Sequence, residues 1–261
     1  MIVLALENQK AIINAGELVN YEVNGYEFIH QKGSPGWGSS DTEMFPIIGP
    51  TAKANYQVNT PKGIAFQDQH GLLREMDYVV KKQSNKKLVV TKEYKSNTKI
   101  INSKYPEKSK VENLNWPYDF IFEKAFELKK DGLHITFSIQ GEEGMPFMLG
   151  YHPAFKIRTQ SALVKTKGLV ISIPEVMKVG SRALQLPNCT QVTLMDQEDI
   201  KINTSGFGHF MLWTEVDNML CIEPITFYPY EVEQIDLNKG FQLLKKNSKT
   251  FKIELLPVKL N

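Results

Sequence analysis

Phe120-Ile121-Phe122-Glu123-Lys124-Ala125-Phe126-Glu127-Leu128, a turn at Lys129-Lys130-Asp131-Gly132, then Leu133-His134-Ile135-Thr136-Phe137-Ser138-Ile139: this stretch decides the fold. In its second half Leu133, Ile135, Phe137 and Ile139 share one side, and His134, Thr136 and Ser138 the other. In its first half Phe120, Phe122, Phe126 and Leu128 share a side. Side chains alternate across a β-strand, so this period of two marks strands with one buried face. Residues 119–140 read as a β-hairpin. Asn24-Gly25, between apolar runs at 18–23 and 26–29, supplies the tight turn of a second one.

The same reading places further strands at 2–6, 10–14, 77–82, 87–93, 145–151, 169–173, 191–195, 209–215, 218–223 and 250–257. No segment holds helical spacing over three turns. Short strands separated by turn signals indicate an all-β, antiparallel β-sandwich. No repeat or linker divides the chain, so residues 1–261 are expected to form a single domain. Residues 95–113 are polar and Lys-rich and read as a solvated surface excursion.

Composition narrows the function. A chain of 261 residues buries roughly three quarters of its unfolded surface and needs no disulfide or metal staple. The net charge of +2, from 31 basic and 29 acidic side chains, gives no general pull toward nucleic acid. Cys189 and Cys221 fit no disulfide or metal spacing, and Cys221 reads as a small buried filler. Met1 to Glu7 lacks the basic and apolar regions of a signal peptide, and no apolar run reaches the ~18 residues of a membrane span. The expected setting is cytoplasmic, with no membrane and no nucleic acid as partner.

Three short segments carry chemistry: Gln69-His70-Gly71-Leu72-Leu73-Arg74, Gly150-Tyr151-His152-Pro153-Ala154-Phe155 and Cys221-Ile222-Glu223-Pro224. His152 and Glu223 each precede proline, which holds the preceding residue extended. Imidazole titrates near pH 6.5, so His152 can donate or accept a proton near neutrality. Glu223 follows an apolar run; poor hydration raises a carboxyl pKa and makes a stronger base. Taken singly, each is more often structural. His70 and Arg74 read as hydrogen-bond donors to an oxygen-rich ligand. His134 reads as solvated, and His30 and His209 as loop residues. No His or carboxylate pair has metal-ligand spacing, and no Gly-rich loop sits where a phosphate cradle would.

The order His-Gly-x-x-Arg, His-Pro-x-Phe, Glu-Pro resembles the aldose 1-epimerase (galactose mutarotase) family, and its wording is similar to the shorter bacterial branch. The resemblance extends to Asn14-Ala15-Gly16-Glu17-Leu18, to Gly36-Trp37 with Met44-Phe45-Pro46-Ile47-Ile48-Gly49, and to Leu212-Trp213-Thr214. It implies a large galactose mutarotase-like supersandwich with the site on a concave sheet face. It implies Glu223 as general base, His152 as general acid and His70 as a substrate-binding residue, with Arg74 matching the shorter branch. Trp37, Trp213 and Tyr151 are candidates for flat faces against a sugar ring. The sequence departs from the family at Pro50, where an arginine is common and Lys53 stands nearby, and at Gln140 in place of an asparagine. No residue between 156 and 217 matches the family's substrate-binding aspartate.

The implied reaction interconverts α and β anomers of a hexose without cofactor, by a chain that is a monomer or homodimer. Glu223 is expected to start ionised and His152 protonated. The alternatives are a hexose-6-phosphate 1-epimerase, which needs a cationic pocket, a non-catalytic carbohydrate-binding sandwich, and a purely structural one.

Overall fold

The alternation at 119–140 builds the centre of a nine-stranded antiparallel sheet. In the computed structural model, which describes residues 1–258, Phe120–Lys129 pairs with Gly132–Gly141 around a Lys130-Asp131 loop. Across the sheet the strands run Leu169–Ser172, Leu163–Thr166, Gln191–Met195, Ile200–Ser205, Ser248–Pro257, Gly132–Gly141, Phe120–Lys129, Lys87–Tyr94 and Val79–Gln83. Near the N-terminus, Asn24 and Gly25 take φ of +51° and +79° and turn Glu17–Val23 into Tyr26–Glu27.

A second, six-stranded sheet carries Leu184–Leu186, His209–Trp213, Met219–Ile225, Gly150–Tyr151 and Glu43–Met44 in that order, with Ala154–Lys156 also paired to Met219–Ile225. The facing sheets interlock through aromatic rings: Phe137 meets Tyr151 at 5.2 Å between centroids, and Phe45 meets Phe122 at 5.4 Å. Buried side chains from Leu4 to Leu255 form one continuous apolar cluster. The protein is an all-β sandwich.

Several sequence expectations are corrected. Residues 145–151 form two short strands, because Pro146–Phe147 pairs with Gln242–Leu243 while Gly150–Tyr151 turns to the second sheet. The strand at 169–173 ends at Ser172 and is followed by the helix Ile173–Val179. Ser172 caps that helix, donating its backbone N–H to Glu175 Oε2 at 2.7 Å, with Pro174 in the first turn. Residues 95–113 are no free excursion: Ile100–Ile101 pairs with Asn113–Leu114, and Asn102 and Ser109 are buried.

The inward face of Phe120–Lys129 presents Phe120, Phe122, Lys124, Phe126 and Leu128 to the core. Lys124 is 0% exposed. Its ammonium stands 2.9 Å from Asp41 Oδ2 and 2.5 Å from Glu43 Oε1, and it donates to the Gly16 carbonyl at 3.0 Å. Tyr151 completes the cluster by donating its hydroxyl to Asp41 Oδ2 at 2.5 Å. A buried charge is tolerated only when paired and hydrogen-bonded, and removing one partner leaves the others uncompensated. Lys124→Met should therefore destabilise the fold by about 3–5 kcal/mol. Adding Asp41→Asn and Glu43→Gln should recover much of the loss. Urea unfolding of the three proteins checks this; a loss below about 1 kcal/mol for Lys124→Met would show the cluster to be energetically idle.

Candidate active site

The strand Met219–Ile225 is buried along its whole length. Its register places Met211 opposite Glu223 and Trp213 opposite Cys221. Directly opposed residues share a face of the sheet, so Glu223, Met211 and Trp213 look the same way. His152 follows Gly150–Tyr151, and its backbone exchanges hydrogen bonds with Thr42, donating at 2.8 Å and accepting at 3.3 Å. Neighbours on an extended backbone point to opposite sides. Tyr151 faces the Lys124 cluster, and His152 faces Glu223.

These side chains meet at a cavity of about 240 Å³ lined by Trp37, Gly49, Gln69, His70, His152, Ser181, Met211, Trp213, Glu215, Glu223 and Tyr230. His152 Nε2 lies 3.4 Å from Glu223 Oε1. The imidazole packs on Trp37 at 4.2 Å between centroids, with Trp213 at 6.0 Å and His70 at 5.6 Å. Trp37 is itself fixed from behind, because its carbonyl lies 3.0 Å from the Nε2 of buried His30.

Burial sets the charge of this group. Glu223 is 2% exposed, and desolvation pushes its carboxyl well above the usual carboxylate range. Desolvation, aided by the Arg74 guanidinium, lowers His152 to about 3. Both shifts favour a carboxylic acid beside a neutral imidazole over an ion pair. That state holds the same single proton as the expected carboxylate–imidazolium pair, but on the other partner. At these buried positions the neutral arrangement is favoured, because it puts no charge in low dielectric.

His70 takes φ of +77°, a left-handed conformation uncommon outside glycine. Its backbone N–H and ring Nδ1 both reach the Ile48 carbonyl, at 3.2 and 3.0 Å. Burial first, then the charges of His152, Arg74 and Lys104, hold its pKa well below 6.5, so the ring is neutral near pH 7. A carbonyl only accepts, so Nδ1 carries the proton and Nε2 is left as an acceptor. The expectation of a donor does not fit this arrangement, which leaves Nε2 as an acceptor. Gly71 is required beside it, since a Cβ there would lie 2.3 Å from the Phe45 carbonyl oxygen.

Of the residues singled out from sequence, His70, His152, Glu223, Trp37 and Trp213 converge on the cavity. Tyr151 does not: its ring is wholly buried against Phe137 and its hydroxyl belongs to Asp41. Half-buried Arg74, on the turn Leu72–Glu75, acts on both imidazoles through its charge and is not in the cavity wall. Lys53 is exposed and lies outside the wall too. His209 Nδ1 accepts from the Asn188 N–H at 3.1 Å, and His134 pairs with Asp131 at 2.9 Å. Ser181, Glu215 and Tyr230 were not anticipated. Glu215 adjoins the Trp213-Thr214 motif, which is the one signal that could have flagged it. Ser181 and Tyr230 come from separate turns joined by the Tyr230 hydroxyl donating to the Ser181 carbonyl at 3.3 Å. Among the described residues, no group of three or more His, Cys, Asp or Glu side chains could hold a metal ion, and no helix is long and apolar enough to cross a membrane.

A family model described as Aldose 1-epimerase matches residues 45–251, and the chain belongs to that family. Among solved structures it is similar to a galactose mutarotase-like protein from Lactobacillus casei, with a TM-score of 0.78, 19% identity and coverage of 99% of this chain and 100% of the other. A galactose mutarotase related enzyme from Lactobacillus acidophilus gives 0.77 at 19% identity, covering 99% of each chain. A galactose mutarotase-like protein from Clostridium acetobutylicum gives 0.70 at 17% identity, covering 99% of this chain and 95% of the other. At such identities the likeness shows the shared fold. No curated protein sequence matches the chain significantly.

The resting charge state has a spectroscopic signature. In imidazole-resolved NMR titrations His152 should stay neutral down to pH about 3. Glu223→Gln should leave that titration in place, since no carboxylate charge supports the imidazole. A His152 titrating near 6.5 that drops in Glu223→Gln would instead reveal an ion pair.

Proposed function

We propose that this member of the aldose 1-epimerase family interconverts the α and β anomers of an unphosphorylated aldohexose, with His152 and Glu223 as a one-proton acid–base pair. The supporting observation is the 3.4 Å separation of His152 Nε2 and Glu223 Oε1 at the wall of a cavity of about 240 Å³. That volume lies just below the usual range of roughly 300–1,000 Å³ for ligand clefts and suits one small ring. Trp37 and Trp213 offer it flat apolar faces, and His70 Nε2 accepts from one of its hydroxyls.

Anomer exchange needs a proton removed from O1 and one delivered to the ring oxygen O5. Transfer within the pair, from Glu223 to His152, gives a carboxylate base and an imidazolium acid without changing the site's net charge. Glu223 then takes the O1 proton while His152 protonates O5, and the C1–O5 bond opens to give the aldehyde. Rotation about C1–C2 and the reverse transfers close the other anomer. Each proton transfer contributes roughly 10²- to 10⁴-fold. The chemistry requires only protons.

The cavity wall bears carboxyl groups from Glu215 and Glu223 and no lysine or arginine side chain. A phosphoryl group is usually bound by such cations, so a neutral sugar fits better than a hexose 6-phosphate.

Polarimetry or exchange NMR on freshly dissolved glucose and galactose tests the proposal. Glu223→Gln and His152→Asn should each slow the catalysed rate by about 10²- to 10⁴-fold. The pH profile should be a broad bell. Its acid limb comes from His152 gaining a second proton for the pair, near pH 3, and its alkaline limb from Glu223 losing the only one, above the usual carboxylate range. Sugar binding without accelerated exchange, and indifferent to Glu223→Gln, would make the chain a carbohydrate-binding sandwich.

A further inference from the structure

The segment 95–113 grips the turn that carries His70 at both ends. Upstream, Asp68 is buried, and its carboxylate accepts from Asn102 Nδ2 at 3.0 Å and from Lys104 Nζ at 3.1 Å. Lys104 also donates to the Gln69 carbonyl at 3.2 Å, one residue before His70. Downstream, Ser103 donates its backbone N–H to Glu75 Oε2 at 3.3 Å and its hydroxyl to Glu75 Oε1 at 3.1 Å. Asn102 is held in turn by donating to the Val111 carbonyl at 3.0 Å, on the returning limb of the same segment. Between these grips stands the left-handed His70, with φ of +77°. Such strain persists only where the surroundings over-determine it.

We propose that residues 95–113 are a positioning element of the site, in which Asn102, Ser103 and Lys104 fix the strained turn so that His70 Nε2 meets the ligand. None of the three lines the cavity, so they act through His70. The reading of its consequence for turnover rests on the proposed epimerase; the clamp itself does not. Burial raises the Asp68 carboxyl, but hydrogen bonds from Asn102 and Ser109 and the Lys104 charge outweigh it and hold the pKa below the ordinary value. The clamp is therefore ionised at neutral pH. The groups whose charge reaches the His70 ring are His152, Arg74 and Lys104, and the Ile48 carbonyl accepts from it.

The test uses the full chain with Lys104→Met, Lys104→Arg and Glu75→Gln, all at positions only partly buried. NMR of the His70 ring, without sugar, reads the clamp directly. In Lys104→Met the His70 pKa should rise and its ring signals broaden or shift; Lys104→Arg should restore them. Glu75→Gln should perturb the same signals from the other end. Loosening the turn should lower kcat/KM for mutarotation by about 10- to 100-fold in Lys104→Met, mostly through KM. Folded Lys104→Met and Glu75→Gln proteins with unchanged His70 signals would overturn the proposal. Perturbed His70 signals in the variants, together with a wild-type protein that accelerates no sugar's mutarotation, would leave the clamp standing and remove the epimerase reading.

Discussion

Burial of the Lys124 ammonium between Asp41 and Glu43 is the constraint on which the site depends. Lys124 occupies an inward slot of the central hairpin, between Phe122 and Phe126, where another apolar side chain would satisfy the pattern. An ammonium in that slot cannot stand alone. It draws in the two carboxylates that flank Thr42, and Thr42 is the backbone partner of His152. Tyr151 is pulled to the same cluster by its bond to Asp41. With Tyr151 committed inward, the strand's alternation sends His152 to the opposite side, toward Glu223.

Two buried glutamates show what this arrangement does to proton chemistry. Glu43 and Glu223 are 3% and 2% exposed, so both suffer desolvation. At Glu43 the Lys124 and Lys92 charges outweigh that penalty, and its pKa falls. At Glu223 no cation intervenes, and its pKa rises. One residue type at one depth thus gives a fixed structural anion and a carboxyl that holds its proton more tightly. The difference lies in where the lysines are, not in how deep the carboxyls sit. The two functions are kept on opposite faces of the second sheet.

Much of this was legible in the sequence, and the failures have physical reasons. The period of two at 119–140 and the Asn24-Gly25 turn gave strands and hairpins because they are local signals. The His-Gly, His-Pro and Glu-Pro segments pointed to His70, His152 and Glu223 only together, through an order that resembles the family; singly, each motif reads as structural. Lys124 was visible as a charge in phase with Phe122 and Phe126, a conflict between pattern and polarity that marks a buried partner. Tyr151 and His152 could not both face a ligand from one extended strand, which period two alone decides. The helix at Ile173–Val179 was announced by Ser172-x-x-Glu175 but is too short to show periodicity. Residues 95–113 misled because lysine suggests solvent, whereas Lys104 here serves an acid 36 residues back in the sequence, Asp68. Ser181 and Tyr230 had no local signature; only tertiary contact brings their turns together.

In the proposed reaction the neutral resting state of His152 and Glu223 has a cost and a use. Transferring the proton to His152 creates two charges at buried positions, where they are costly unless hydrogen-bonded. Sugar hydroxyls supply those hydrogen bonds where the carboxylate and imidazolium form. The charged pair is then stabilised when a polyhydroxylated ring is in place and disfavoured when the cavity is empty or holds an apolar guest. That is differential stabilisation of the reacting state over the free enzyme. It also accounts for the apolar flanks: Trp37 and Trp213 lower the local dielectric around His152, which strengthens each hydrogen bond the ligand makes. A site with a permanently charged pair would be hydrated before the sugar arrived, and would lose that distinction.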